Sequence, residues 1–216
     1  MENASQSNEG KRPYHSRARQ RQAEETRRRI LAATRELFAS RGYTGTTLEA
    51  IAEVAEVSPK TVSAVFGSKR GILAEVVNPG AFGPHVQQLL DELRVTPEPS
   101  QQLSLVSQIT RQAYEPLVLE LELLRTAPAV APELADLAWE IEMRRRQNQG
   151  RLVAYLDEHR MLRQGLPLEE ATDVLWTLTS YELYRMLVIE RRWPPERYET
   201  WLAHLLIEQL LQPTEG

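Results

Sequence analysis

The sequence predicts an all-α protein: a three-helix helix-turn-helix head followed by a larger helical body, about nine helices in all. Three observations carry that expectation. Apolar residues recur at spacings of three, four and seven, the period of one helix face. Ser, Thr, Pro and Gly fall between those runs at helix-length intervals, where caps and stops belong. No stretch alternates apolar and polar residues with the period of two that a strand requires, and no repeat of 20–50 residues appears.

The 216 residues suffice for one small and one medium domain. Residues 1–22 read as a disordered basic arm, because they are polar, lack an apolar period and carry Lys11, Arg12, Arg17, Arg19 and Arg21. Residues 23–70 read as the head and 71–216 as the body. Within the head, Ile30, Leu31, Ala33, Leu37 and Phe38 mark the inner face of a first helix over 24–41, which Gly42 stops. Thr46 and Glu49 have the spacing of a capping box. A short second helix then turns Leu48, Ile51, Ala52 and Ala55 inward. Ser58 caps a third helix and Pro59 takes its first position, where a missing N–H costs nothing. Val62 and Phe66 face the core, so Lys60, Thr61, Ser63 and Ala64 look outward. Gly67 ends that helix and Ser68 opens a fourth, from Lys69 to about Val77.

Asn78-Pro79-Gly80 breaks the chain before the body. Helices are expected over about 84–93, over 100–126 with a kink at Pro116, and from Pro132 to about Arg160. Glu142 and Arg146 are spaced as an i,i+4 pair. Leu168–Arg191 and the segment after Pro194-Pro195 are apolar on more than one side, so each needs cover on two faces.

Composition narrows the function. Cysteine is absent, which excludes disulfides, thiolate metal sites and thiol nucleophiles. The polar opening MENASQSNEG has no signal-peptide core, and no apolar run reaches the ~18 residues of a membrane span. These features point to a cytoplasmic protein with no membrane partner. His85, His159 and His204 are too scattered to suggest a metal, and no cofactor is expected. No phosphate loop, nucleophile elbow, zinc motif or dinucleotide fingerprint is present, so the chain does not read as an enzyme. The net charge of −4 hides an asymmetry. Residues 1–77 hold 13 Lys+Arg against 9 Asp+Glu, and residues 78–216 hold 13 against 21. A basic front and an acidic rear suit a protein that meets phosphates with one end.

The run from Thr26 through Arg29-Ile30-Leu31, Ala33, Leu37-Phe38, Gly42, Thr47, Ile51-Ala52, Ala55, Val57-Ser58, Thr61-Val62, Phe66 and Ser68-Lys69 resembles the TetR family of bacterial transcriptional repressors. It extends over roughly 50 residues without a gap. The resemblance implies a DNA-binding head, a ligand-binding and dimerisation body, and a homodimer whose last two helices pair with their copies. It also implies a palindromic double-stranded operator and a small-molecule effector that releases the repressor from it. Thr47, Thr61 and Lys69 match phosphate-contacting positions, and Thr46 and Ser58 stand at helix starts, where hydroxyls and amides meet phosphate. Lys60 and Ser63 are the candidates for groove contacts. In the body, Tyr114, Trp139, Met143, Tyr155 and Trp176 are the candidate ligand residues.

The chain departs from the family pattern at three places. Glu56 replaces the usual Gly of the turn, Ser63 stands where an aromatic is common, and Val65 where Tyr or His is frequent. The last two keep an alternative open: a helical interaction protein whose specific DNA binding is weakened or lost. The basic arm and Arg27-Arg28-Arg29 could offset them electrostatically.

Overall fold

The computed structural model describes residues 12–78 and 82–212, with side chains from Arg17 onward. Among them every regular element is a helix, and one isolated antiparallel bridge joins Leu162 and Leu211. Two compact units divide between Leu73 and Ala74.

In the first unit, α1 spans Arg12–Arg41, α2 Leu48–Val54 and α3 Pro59–Phe66, and α4 begins at Lys69 and runs on to Val76. Helix α1 starts earlier than its apolar pattern. Residues 12–22, expected within a disordered arm, form its opening turns, while residues 1–11 of that arm lie outside the described residues. Arg, Gln, Ala and Glu are strong helix formers, so this stretch needs no apolar face to continue a helix that is anchored further on. From Ile30 onward the inner face is packed. Ile30, Ala33, Leu37, Ile51, Ala52, Ala55, Val62 and Ile72 form one buried cluster. Gly42 and Gly67, both at positive φ, stop α1 and α3.

The cap of α2 differs from the expected capping box by one residue. Thr47 is the N-cap, and its Oγ1 accepts from the Ala50 amide at 3.1 Å. Thr46 is fully buried, and its single hydroxyl hydrogen is shared between the carbonyls of Gly42 (2.8 Å) and Leu37 (3.2 Å).

The second unit contains α5 (Pro84–Val95), α6 (Pro99–Tyr114), α7 (Val118–Thr126), α8 (Glu133–Glu158), α9 (Leu168–Leu178), α10 (Tyr181–Tyr184) and α11 (Pro195–Leu210). The expected kink at Pro116 is a 3₁₀ turn over Glu115–Leu117 that separates α6 from α7. The segment 168–191, expected as one helix, is broken at Thr179-Ser180. Thr179 Oγ1 bonds back to the Leu175 carbonyl at 2.7 Å, and Ser180 adopts an extended conformation as the N-cap of α10. Adjacent hydroxyl residues give the backbone these alternatives to a continuous helix. A π-helical turn, Arg185–Glu190, then extends α10, with the Arg191 amide bonded to the Met186 carbonyl at 3.0 Å.

The body core is built where α6 packs on α11 and α8 on α9. Leu103, Leu156, Leu175, Leu202 and Leu206 are fully buried there. Tyrosines pack edge to face beside them: Tyr114–Tyr181 at 5.6 Å, Tyr114–Tyr184 at 5.7 Å and Tyr184–Tyr198 at 5.2 Å between ring centroids.

Candidate functional site

The head presents its polar groups from two helix starts and one helix face. Thr47 is exposed at the start of α2. At the start of α3, Ser58 Oγ accepts the Thr61 amide at 3.0 Å and lies 2.8 Å from Thr61 Oγ1. One hydroxyl hydrogen of that pair is used between the two residues, which leaves one to donate outward. Ser58 therefore caps the helix, and the pair presents one donor beside its positive end. Lys60, Ser63 and Ala64 are exposed and follow the i, i+3, i+4 spacing of a single face. Val65 and Phe66 are half-buried.

Lys69 is half-buried and positioned by Tyr43. Its ammonium donates to the Tyr43 carbonyl at 2.7 Å and stands 4.5 Å from the centre of the Tyr43 ring. Tyr43 is itself buried against Phe38, with centroids 5.5 Å apart. Sequence reasoning missed Tyr43. The available signal was an aromatic directly after the Gly42 stop, ahead of the α2 cap. Thr46 leaves the candidate set, because its hydroxyl is buried on carbonyls of the head.

Nor do the three consecutive arginines form one basic patch. Arg27 stacks over Phe66 at 4.8 Å, Arg28 pairs with Glu25 at 2.7 Å, and Arg29 lies 3.9 Å from Glu56. Successive residues on a helix point about 100° apart, so three neighbours reach three different partners.

The body holds a half-open cavity of about 420 Å³ between α7, α8, α9 and α10. Leu121, Leu124, Ala138, Ile141, Trp176 and Tyr181 supply its apolar wall, and Arg125, Glu142, Arg145 and Glu182 also line it. Of the five candidate ligand residues, Trp176 is in the wall. Trp139 is 65% exposed on α8 and does not line the cavity. Tyr114 and Tyr155 are packed against the core, and Met143 is likewise absent from the lining. Tyr114 donates to the Thr179 carbonyl at 2.8 Å, and burial pushes its phenol up to about 12. The expected Glu142–Arg146 pair is replaced. Glu142 instead holds Arg145 at 2.6 Å, and Arg146 reaches across to Asp173 at 2.8 Å. Both arginines reach α9, but Arg145 also lines the cavity while Arg146 does not.

A polar hub adjoins the cavity at the α9–α10 break. Arg145 donates to the Trp176 carbonyl at 2.8 Å and to Thr179 Oγ1 at 2.9 Å, and Gln149 donates to the same hydroxyl at 2.6 Å. Tyr181 donates to Glu122 at 3.0 Å. Burial pushes the Glu122 carboxyl up, but its bonds to Arg125 and Tyr181 outweigh that and hold it below the ordinary value. Three buried polar atoms among the described residues of the body, Gln102 Oε1, Gln149 Oε1 and the Tyr198 hydroxyl, have no hydrogen-bond partner.

Residues 30–76 match the family described as bacterial regulatory proteins, tetR family. The head is a tetR-family domain. The match begins within α1, spans both caps and the exposed face of α3, and ends with α4.

Most of the chain shares its fold with solved regulators. NalD from Pseudomonas aeruginosa, the secondary repressor of the MexAB-OprM multidrug efflux pump, superposes with a TM-score of 0.69 at 23% identity. The alignment covers 90% of this chain and 100% of NalD. SmeT, solved as a complex with triclosan, gives 0.69 at 19% identity over 88% and 93% of the two chains. FadR from Bacillus subtilis, solved with stearoyl-CoA, gives 0.62 at 16% over 83% and 96%. No curated protein matches the sequence significantly. At these identities the likeness speaks for the all-α tetR-regulator fold.

Against the tetR pattern, Glu56 is the departure with a visible structural consequence. It sits at φ +53°, the left-handed region. Its amide bonds to the Glu53 carbonyl at 3.1 Å, and the next amide, Val57, bonds to Ala52 at 2.9 Å. These two bonds define a Schellman stop for α2, with Glu at the position that favours Gly.

Proposed function

We propose that this chain is a homodimeric transcriptional regulator that reads a palindromic double-stranded operator through its head and is released by a small molecule held in its body. The observation that carries the reading is the exposed face of α3, where Lys60, Ser63 and Ala64 stand clear of the core beside the capped helix starts. Such a face fits a major groove, with Lys60 able to donate to guanine O6 or N7. Thr47, Ser58, Thr61 and Lys69 would set the register on phosphates. On this division of labour, residues 23–70 read DNA, residues 71–216 serve the effector and the dimer, and the protein acts in the cytoplasm.

The dimer draws support from α9 and α11. Val174, Leu178 and Leu205 are half-buried in the body and line an open groove of about 660 Å³. A second copy related by a two-fold axis would cover these residues and supply the second head for a palindrome. Release draws support from the cavity and from triclosan and stearoyl-CoA in the SmeT and FadR structures. The effector must favour the state that does not bind DNA, since equal affinity for both states shifts nothing. A second reading, an interaction protein with weakened DNA reading, rests on Ser63 and Val65 in place of aromatics.

A gel-shift titration on the DNA upstream of the gene separates the two. Lys60→Ala should either relax specificity or reduce the log–log salt slope by about 0.9. Unchanged binding and slope in both Lys60→Ala and Thr61→Ala would remove α3 as the reading element.

A further inference from the structure

We propose that the body cavity selects a neutral guest of one or two rings that carries a hydrogen-bond donor, and discriminates against organic anions and cations alike; this rests on the reading that the body holds a small molecule. At about 420 Å³ the cavity lies at the small end of ordinary ligand sites. Its wall is mostly apolar and includes the rings of Trp176 and Tyr181, which suit an aromatic guest.

The charges around it cancel. Three helices each contribute a glutamate followed three residues later by an arginine. Glu122 pairs with Arg125 at 2.7 Å on α7, Glu142 with Arg145 at 2.6 Å on α8, and Glu182 with Arg185 at 3.1 Å from α10. Every charged residue in the lining is therefore matched within its own segment. A guest that carries a charge into the apolar part of this pocket loses part of its water without meeting an unpaired opposite charge, and that loss is not repaid.

The hydrogen-bonding groups in the wall narrow the class further. The Trp176 indole N–H is engaged by Glu142 Oε2 at 2.9 Å, and the Tyr181 hydroxyl by Glu122 at 3.0 Å. The Arg145 guanidinium is engaged by Glu142, the Trp176 carbonyl and Thr179. The bonds that reach Glu142 all fall on Oε2. Its other oxygen, Oε1, remains as an acceptor, so the matching guest donates an O–H or N–H.

Calorimetric titration of the full-length protein, without DNA, with three ligands of one shape tests this. The ligands are 2-naphthol, 2-naphthoate and 2-naphthylmethylammonium at pH 7. The naphthol should bind, and each ion should bind at least roughly 30-fold more weakly. Glu142→Gln leaves Arg145 without its paired negative charge and should raise naphthoate relative to naphthol by about tenfold. Arg145→Gln should do the same for the ammonium. Ala138→Trp fills the cavity and should abolish naphthol binding, with a thermal melt confirming that the variant is folded. Either ion binding the unmodified protein as tightly as naphthol, naphthol binding that survives in Ala138→Trp, or no naphthol binding at millimolar concentration would overturn the proposal. Naphthol that binds but leaves a DNA complex intact would count against effector release and leave the ligand class standing.

Discussion

Replacing Glu56 with Gly should make the protein both more stable and a tighter binder of DNA, through two separable effects. The backbone effect comes from φ +53° at the position just past the end of α2. A side chain held in the left-handed region costs about 1–2 kcal/mol. Glycine gives back about 0.5–1 kcal/mol of that through the greater freedom of its unfolded chain. The net gain is about 0.5–1 kcal/mol, or roughly 1–4 °C in Tm for a chain of this size. Loss of the Arg29 contact subtracts little, because that pair is 3.9 Å apart and the Glu56 side chain is 87% exposed.

The charge effect is removal of one negative charge from the turn that precedes the reading helix. At ~10 Å from several phosphates, partly screened, it should tighten DNA binding about two- to five-fold at low salt and less at high salt. Glu56→Gln isolates the charge effect, since it keeps a side chain at positive φ. Arg160 isolates the backbone effect. It occupies the same kind of stop at the end of α8, at φ +58°, with the Met161 amide bonded to Leu156 at 2.8 Å. Arg160→Gly should therefore stabilise without changing DNA affinity. The assays are differential scanning calorimetry and fluorescence anisotropy on the upstream DNA. Equal Tm values for Glu56→Gly and Glu56→Gln would refute the strain argument. Equal DNA affinity for Glu56→Gln and the unmodified protein at low salt would refute the placement of Glu56 near phosphates.

Three further outcomes follow from hydrogen-bonded or orphaned polar groups. Thr46→Val should cost about 1–2 kcal/mol in urea unfolding, because its buried hydroxyl serves the Leu37 carbonyl and the half-buried Gly42 carbonyl, and should leave the salt slope of DNA binding unchanged. Tyr198→Phe should be neutral or stabilising by up to about 1 kcal/mol, since the hydroxyl is buried without a partner; clear destabilisation in the same assay would reveal one. The carboxylates of Glu98 and Glu122 are both held below their ordinary 4.5, Glu98 by the Ser100 hydroxyl at the start of α6 and Glu122 by Arg125 and Tyr181 against burial. Their contribution is therefore complete above pH 4.5 and is lost as pH falls through the lowered values. Glu98→Gln and Glu122→Gln should each flatten the acid limb of a Tm–pH profile.

The head was legible in the sequence because its signals are local. Gly42, Ser58, Pro59 and Gly67 act within one turn of where they stand, and the apolar period fixes which residues go inside. Thr46 and Thr47 show the limit of such reading: two neighbouring threonines are equally good caps, and tertiary packing alone decides which is buried. The opening turns of α1 were hidden for a related reason, since an exposed helix of Arg, Gln and Glu has no apolar stripe to display. In the body, Thr179-Ser180 divides what reads as one apolar helix, because two hydroxyls redirect backbone bonds without any Gly or Pro to announce it. Trp139 was expected in a pocket because it is large, yet it is exposed. Arg145, Tyr181 and Leu124 come together in the cavity wall from three different helices, and no spacing along the chain records that meeting.

The central claim, two heads reading a two-fold site, is tested most directly by a hydroxyl-radical footprint on the DNA upstream of the gene. The account predicts two protected half-sites related by two-fold symmetry. Their centres should lie one helical turn or a multiple apart, with a turn of about 10–10.5 base pairs. Protection should be lost in Lys60→Ala or become indifferent to sequence. A single asymmetric footprint, or no protection anywhere in the fragment at low salt, would contradict it.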